Sequence, residues 1–144
     1  MIAGWRGMPE RMSALRAVEE AVCERRHLRT VAPADLATTS ESVLSWLRFT
    51  GAKHVAVHLD LDVLDPTLFR SLTFAKPGVP LPTADDVPAG QMTLSQVVRL
   101  LADVAQEVDV VGLGITEHMP WDAMALRDML ARLPLIGSHQ DRTP

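Results

Sequence analysis

Short apolar runs alternate along this chain with stretches of helical period, and the rhythm predicts its elements in order. Met1 to Trp5 is apolar and leads into Gly4-Trp5-Arg6-Gly7, which reads as a strand running into a turn. Pro9 suits the first turn of a helix, where its missing N–H costs nothing. Met12, Leu15, Val18 and Val22 recur at helical spacing and predict the buried face of that helix. His27 to Ala32 is a short β-like segment closed by Pro33. Thr38 and Glu41 form a capping-box pattern ahead of a second helix, buried through Val43, Leu44 and Leu47 and stopped by Gly51. Lys53 to Leu59 is nearly continuous in apolar character, as suits a parallel strand covered on both faces.

Residues 66–91 break the rhythm. They hold Pro77, Pro80, Pro82 and Pro88 with Gly78 and Gly90, and no period is sustained. Loops this long in compact domains are functional or disordered. This one leaves directly from a group of aspartates, so it is expected to line a site. Thr93 and Gln96 then open a third helix, with Leu94, Val97, Val98, Leu101, Val104 and Val108 on a 3.6-residue period. Asp109 to Thr116 is a second buried strand. Asp122 caps a last helix whose buried face is Ala125, Leu126, Met129, Leu130 and Leu133. The polar tail, 137–144, is expected to fray. The order β-α-β-α-β-loop-α-β-α predicts an α/β fold, a three-layer α/β/α arrangement with a mostly parallel sheet. All of 1–144 is read as one domain.

Composition narrows the partners. The net charge is −4, and lysine occurs only at Lys53 and Lys76. Without a polybasic footprint, nucleic acid and anionic membrane are poor partners. No apolar run approaches the length that spans a bilayer. Cys23 is the single cysteine, which fits a reducing cytoplasm and is read as a buried, inert thiol.

The chemistry concentrates in Val55 to Pro66, where an apolar strand ends in Asp60, Asp62 and Asp65. Residues two apart on a strand share a face, so Asp60 and Asp62 are expected to project together. They stand at the carboxyl end of the strand, where open α/β sheets place ligands. Aligned carboxylates repel, so either one binds a proton or a cation neutralises both. Their oxygens suit hard divalent ions. Asp65 precedes a proline and reads as a turn starter. His58 shares the aspartate face; it is either a third ligand or a hydrogen-bonded core histidine. Glu117 ends the strand 109–116. If the two strands are neighbours, it opens into the same crevice and offers a carboxylate to a guanidinium group. Gly112 and Gly114 lie inside a strand with no third glycine opening a helix, so they are not a dinucleotide fingerprint.

These residues resemble the C-terminal half of the ureohydrolase family, which includes arginase, agmatinase and formimidoylglutamase. His58 through Pro66 is similar to the family's strand ending in D-x-D-x-x-D-P. Val111 through Pro120, with Asp122 following, resembles its later E-x-N-P strand. Gly90-Gln91-Met92-Thr93 stands where the family has G-G-L-[ST], and Ala3 through Gly7 resembles a strand end usually written G-[IL]-R. The resemblance implies an arginase-like fold and hydrolysis of a C–N bond in a guanidino or amidino substrate. In the family, two manganese ions share a bridging hydroxide that performs the attack. It further implies Asp60 as the carboxylate bridging the ions, Asp62 as a ligand of one, and Glu117 as the group facing the substrate.

The departures are as informative. The family's Gly-Gly-x-His and Asp-Ala-His-x-Asp blocks are absent. His58 stands where Ser is usual, and His118-Met119 replaces the residues before Pro120. Met1 therefore falls within a mid-fold strand of the family, and the isolated chain is expected to be inactive. Apolar surface and a sheet edge would be left uncovered, which predicts homo-oligomers or other self-association. Two rival readings are a haloacid-dehalogenase-like phosphatase and a non-catalytic remnant or assembly module. Asp60-Leu61-Asp62-Val63-Leu64 resembles the phosphatase D-x-D-x-[TV] motif, but Lys76 is the only lysine after it.

Overall fold

The order of elements follows the periodicity. The computed structural model describes residues 1–83 and 85–137, so the tail beyond Gly137 lies outside the described residues. The strands and α-helices are β1 (Ile2–Ala3), α1 (Ser13–Arg25), β2 (Thr30–Val31), α2 (Glu41–Thr50), β3 (His54–Asp60), α3 (Leu94–Glu107), β4 (Asp109–Thr116) and α4 (Ala123–Leu130). Both strand pairings are parallel. β1 lies on β2, and β3 lies on β4 in a register that sets Asp60 opposite Thr116. Among the described residues these are two separate two-stranded sheets rather than one.

Local chemistry explains most element ends. At α3, the Thr93 side chain accepts the Gln96 N–H while Gln96 accepts the Thr93 N–H, the reciprocal box expected there. Asp122 accepts the Ala125 N–H at 3.1 Å and starts α4. Gly51 closes α2 in the left-handed region, at φ 68°. The Thr38 cap is corrected: α2 begins only at Glu41, after Ser40. Ser40 does not cap with its side chain because its hydroxyl donates to Asp103 on α3, at 2.6 Å.

The core forms where α2, α3 and α4 meet one face of the β3–β4 pair. Val43, Leu47, Leu59, Val97, Leu101, Val104, Val110, Met129 and Leu133 are buried there. The irregular stretch adds more than its composition suggests. Phe69, Leu72 and Ala75 are all buried in the same cluster. Asp65 starts this stretch as expected of a turn residue. Its carboxylate accepts the Thr67 N–H at 2.8 Å, and its carbonyl accepts the Phe69 N–H at 2.9 Å.

Two burial expectations are corrected. β3 is covered on one face, not both: Val57 and Leu59 turn towards the core, whereas Ala56 and His58 are exposed. The α1 stripe is also open. Leu15 is 52% exposed and Val18 61%. The spacing of these residues is helical, as read, but α1 buries no residue among those described. Periodicity fixes which side chains share a face and is silent on what meets that face. Cys23 is half-buried.

Candidate functional site

β3 ends at Asp60, and a single 3-10 turn, Leu61–Val63, follows at once. Asp60 and Asp62 are therefore not held together by strand alternation. Asp60 caps the turn instead, its side chain accepting the Asp62 N–H at 3.1 Å. Leu61, fully buried between them, anchors the turn in the core. The result keeps both carboxylates on one cavity of about 470 Å³, lined also by His58, Arg6, Glu19 and Pro88.

The electrostatics are those of a partly desolvated acidic pair. Burial pushes the Asp60 carboxyl above its ordinary value. The Asp62 N–H opposes that shift, and the negative charges of Asp62 and Glu117 reinforce it. Asp62 has a partner of its own. The Arg6 Nη2 lies 3.1 Å from its Oδ1, with the two side chains 14% and 32% exposed. Arg6 comes from the turn after β1. The carboxylate pair demanded a cation, and a glycine-flanked arginine at a strand end was a signal that would have nominated it.

The remaining candidates are placed as follows. His58 is exposed on the open sheet face and lies 3.2 Å from the Thr116 hydroxyl through its Nε2, so it is hydrogen-bonded but is not a core histidine. Glu117 directly follows β4, one residue beyond the register partner of Asp60. It is exposed and does not line the cavity, although its charge acts on Asp60. Its φ is 60°, a left-handed conformation that side chains other than glycine adopt only at some strain. Residues 71–73 of the irregular stretch hold this segment. The Thr73 hydroxyl donates to Glu117 at 2.8 Å, the Met119 N–H donates to the Ser71 carbonyl, and the Asp122 N–H donates to the Ser71 hydroxyl. The stretch thus supports the site partly from within the core. Lys76 lies over the Trp121 ring, 5.5 Å from its centroid, and is not a lining residue of the Asp60 cavity.

No family model matches this sequence, and no curated protein does. Solved structures match. Helicobacter pylori arginase superposes with a TM-score of 0.61 at 13% identity, over 79% of this chain and 37% of that one. The fold is arginase-like. Entamoeba histolytica arginase, solved in complex with L-ornithine, superposes with a TM-score of 0.55 at 16% identity, over 82% of this chain and 35% of that one. The chain thus spans little more than a third of either arginase. At these identities the likeness is one of fold, and function has to be argued from the site.

The donor set can be tested against the manganese pair that the resemblance implies. Two ions need many oxygen or nitrogen ligands, and ligating carboxylates must keep oxygens free for them. Here one Asp60 oxygen accepts a backbone N–H and one Asp62 oxygen accepts Arg6. Among the described residues, no three His, Cys, Asp or Glu side chains are grouped as metal ligands would be. The side chains of this chain do not fit two manganese ions by themselves.

Proposed function

We propose that this chain forms the carboxylate-bearing part of an arginase-type amidinohydrolase site, and that by itself it does not hydrolyse a guanidino or amidino compound. The observation that carries this reading is the position of Asp60, Asp62 and Glu117 just at and beyond the carboxyl ends of two paired parallel strands within an arginase-like fold, with the charge of Glu117 felt at Asp60. Glu117 offers an exposed carboxylate oriented by Thr73, which matches the fork of a guanidinium group. Asp60 and Asp62 supply negative charge at the strand end and do not by themselves complete a site for manganese. Hydrolysis of arginine, agmatine and formimidoylglutamate by the purified chain with added manganese is the direct assay. No turnover is the expected result, and clear turnover defeats the claim.

The same reading includes association with a second copy. Leu15, Val18 and Val22 on α1 and Val111 on β4 leave apolar surface open, and the two-stranded sheets leave unpaired edges. Size-exclusion chromatography with light scattering is expected to give a mass above the 15.8 kDa of one chain. Leu15→Glu with Val18→Glu is expected to return it to the monomer. A wild-type chain that stays monomeric at high concentration removes this part of the proposal.

A further inference from the structure

We propose that Arg6 is the built-in cation of the Asp60–Asp62 crevice, so that in this chain a guanidinium group occupies Asp62 and keeps divalent metal out. The inference stands on the ion pair and on how the fold delivers it, and it does not depend on the hydrolase reading.

Arg6 and both aspartates line the same cavity, and Arg6 is the one arginine or lysine among its lining residues. Its side chain is 14% exposed, and its Nε is buried without a hydrogen-bond partner. A solvated arginine making a chance surface contact would keep its guanidinium in water. This one is withdrawn from water and directed at Asp62. Glu19, from α1, lines the cavity too and has a buried oxygen without a partner. Three carboxylates, of Asp60, Asp62 and Glu19, thus line the cavity with the one guanidinium.

The backbone fixes this placement. The Gly4 and Trp5 N–H groups both donate to the Val31 carbonyl, at 2.9 Å, which ties the turn to β2. Gly4 adopts φ 81°, and a Cβ there would overlap the Val63 side chain. Only glycine lets the turn lie directly on residues 61–63, which carry Asp62. A long arginine then needs no search to find its partner, so the pair loses little side-chain entropy on forming. A divalent ion on the same Asp62 oxygen would sit beside a fixed positive charge, and the like charges repel.

The test uses manganese alone as the probe, with the electron paramagnetic resonance signal of free Mn²⁺ and the Tm as readouts. The wild-type chain is expected to leave both unchanged at millimolar manganese. Arg6→Gln is expected to lower Tm by roughly 3–8 °C without metal. It is also expected to bind manganese, which raises its Tm, and to lose that response in the Arg6→Gln/Asp62→Asn double variant. Arg6→Lys keeps the charge and is expected to stay silent to manganese, which carries the test should Arg6→Gln not fold. Manganese binding by the wild-type chain that Asp62→Asn abolishes would overturn the proposal. So would a folded Arg6→Gln chain that binds no more manganese than wild type, or Arg6→Lys responding as Arg6→Gln should. None of these readouts involves turnover, so the outcome is independent of the activity assay.

Discussion

Gly90→Ala is expected to remove about 3 kcal/mol or more of stability and to dismantle the carboxylate site along with it. A Cβ on Gly90 would overlap the carbonyl oxygens of Leu64 and Asp62 and the carbonyl carbon of Val63. All three are backbone atoms of the turn that holds Asp62, so no flexible side chain yields to the methyl group. The chain would have to separate there. The contact is also cross-linked: the Gln91 and Met92 N–H groups donate to the Val63 carbonyl at 3.1 and 3.0 Å, and the Asp65 N–H donates to the Met92 carbonyl at 2.9 Å. Overpacking alone costs about 1–3 kcal/mol, and each hydrogen bond lost adds about 1 kcal/mol. Thermal unfolding followed by near-ultraviolet circular dichroism measures this. A Gly90→Ala chain with the wild-type Tm would show that the turn tolerates a displacement the close approach forbids.

Gly90 also illustrates what the sequence could and could not convey. Gly90-Gln91-Met92-Thr93 marked its place as a recurring block, but the reason is close backbone approach, not a left-handed turn, and approach is a tertiary fact. Elements with strong local codes were legible: the Thr93–Gln96 box, the period of α3, the Asp122 cap and the Asp65 turn all act within a few residues. The site was legible in part. Asp60 and Asp62 do face one cavity, though through a capped turn rather than through strand alternation. The glycine-flanked strand end marks Arg6 as a candidate cation, but its pairing with Asp62, 56 residues away in sequence, is a tertiary fact that no local pattern encodes. The open faces of α1 and β3 were misread for a related reason. An apolar stripe shows what a helix or strand is able to bury, and the partner that buries it is encoded elsewhere or on another molecule.

The site also shows a division of labour between charge and packing. Asp60 and Asp62 weaken the strand end by mutual repulsion, and burial raises the cost for Asp60. Two features hold the charges in place. Arg6 meets Asp62 from the β1 turn, and the fully buried Leu61 and Leu64 clamp the turn between them into the core. Glu117 is held differently, in a left-handed conformation kept by hydrogen bonds from residues 71–73. A strained acidic residue persists only where its surroundings over-determine it. Those surroundings are the stretch that periodicity left unread.

Phe69→Ala tests that stretch at its largest side chain. Phe69 is 1% exposed and heads the fully buried side chains by volume. Its position follows from the Asp65 turn, whose carbonyl accepts the Leu68 and Phe69 N–H groups and so turns the ring into the core. Replacing a buried phenylalanine with alanine costs about 3–5 kcal/mol, from lost transfer energy and the cavity left behind. Domains of this kind are stable by about 5–15 kcal/mol, so the loss takes a large share of the total. For a chain of this length the expected fall in Tm is roughly 6–20 °C. The damage should reach Glu117 as well, since Ser71 and Thr73 lie within four residues of Phe69 and hold the segment after β4. Calorimetry of the variant checks the first claim, and amide hydrogen exchange at residues 117–122 checks the second. A loss below about 1 kcal/mol would place residues 66–91 outside the core and return them to the surface loop their composition suggests.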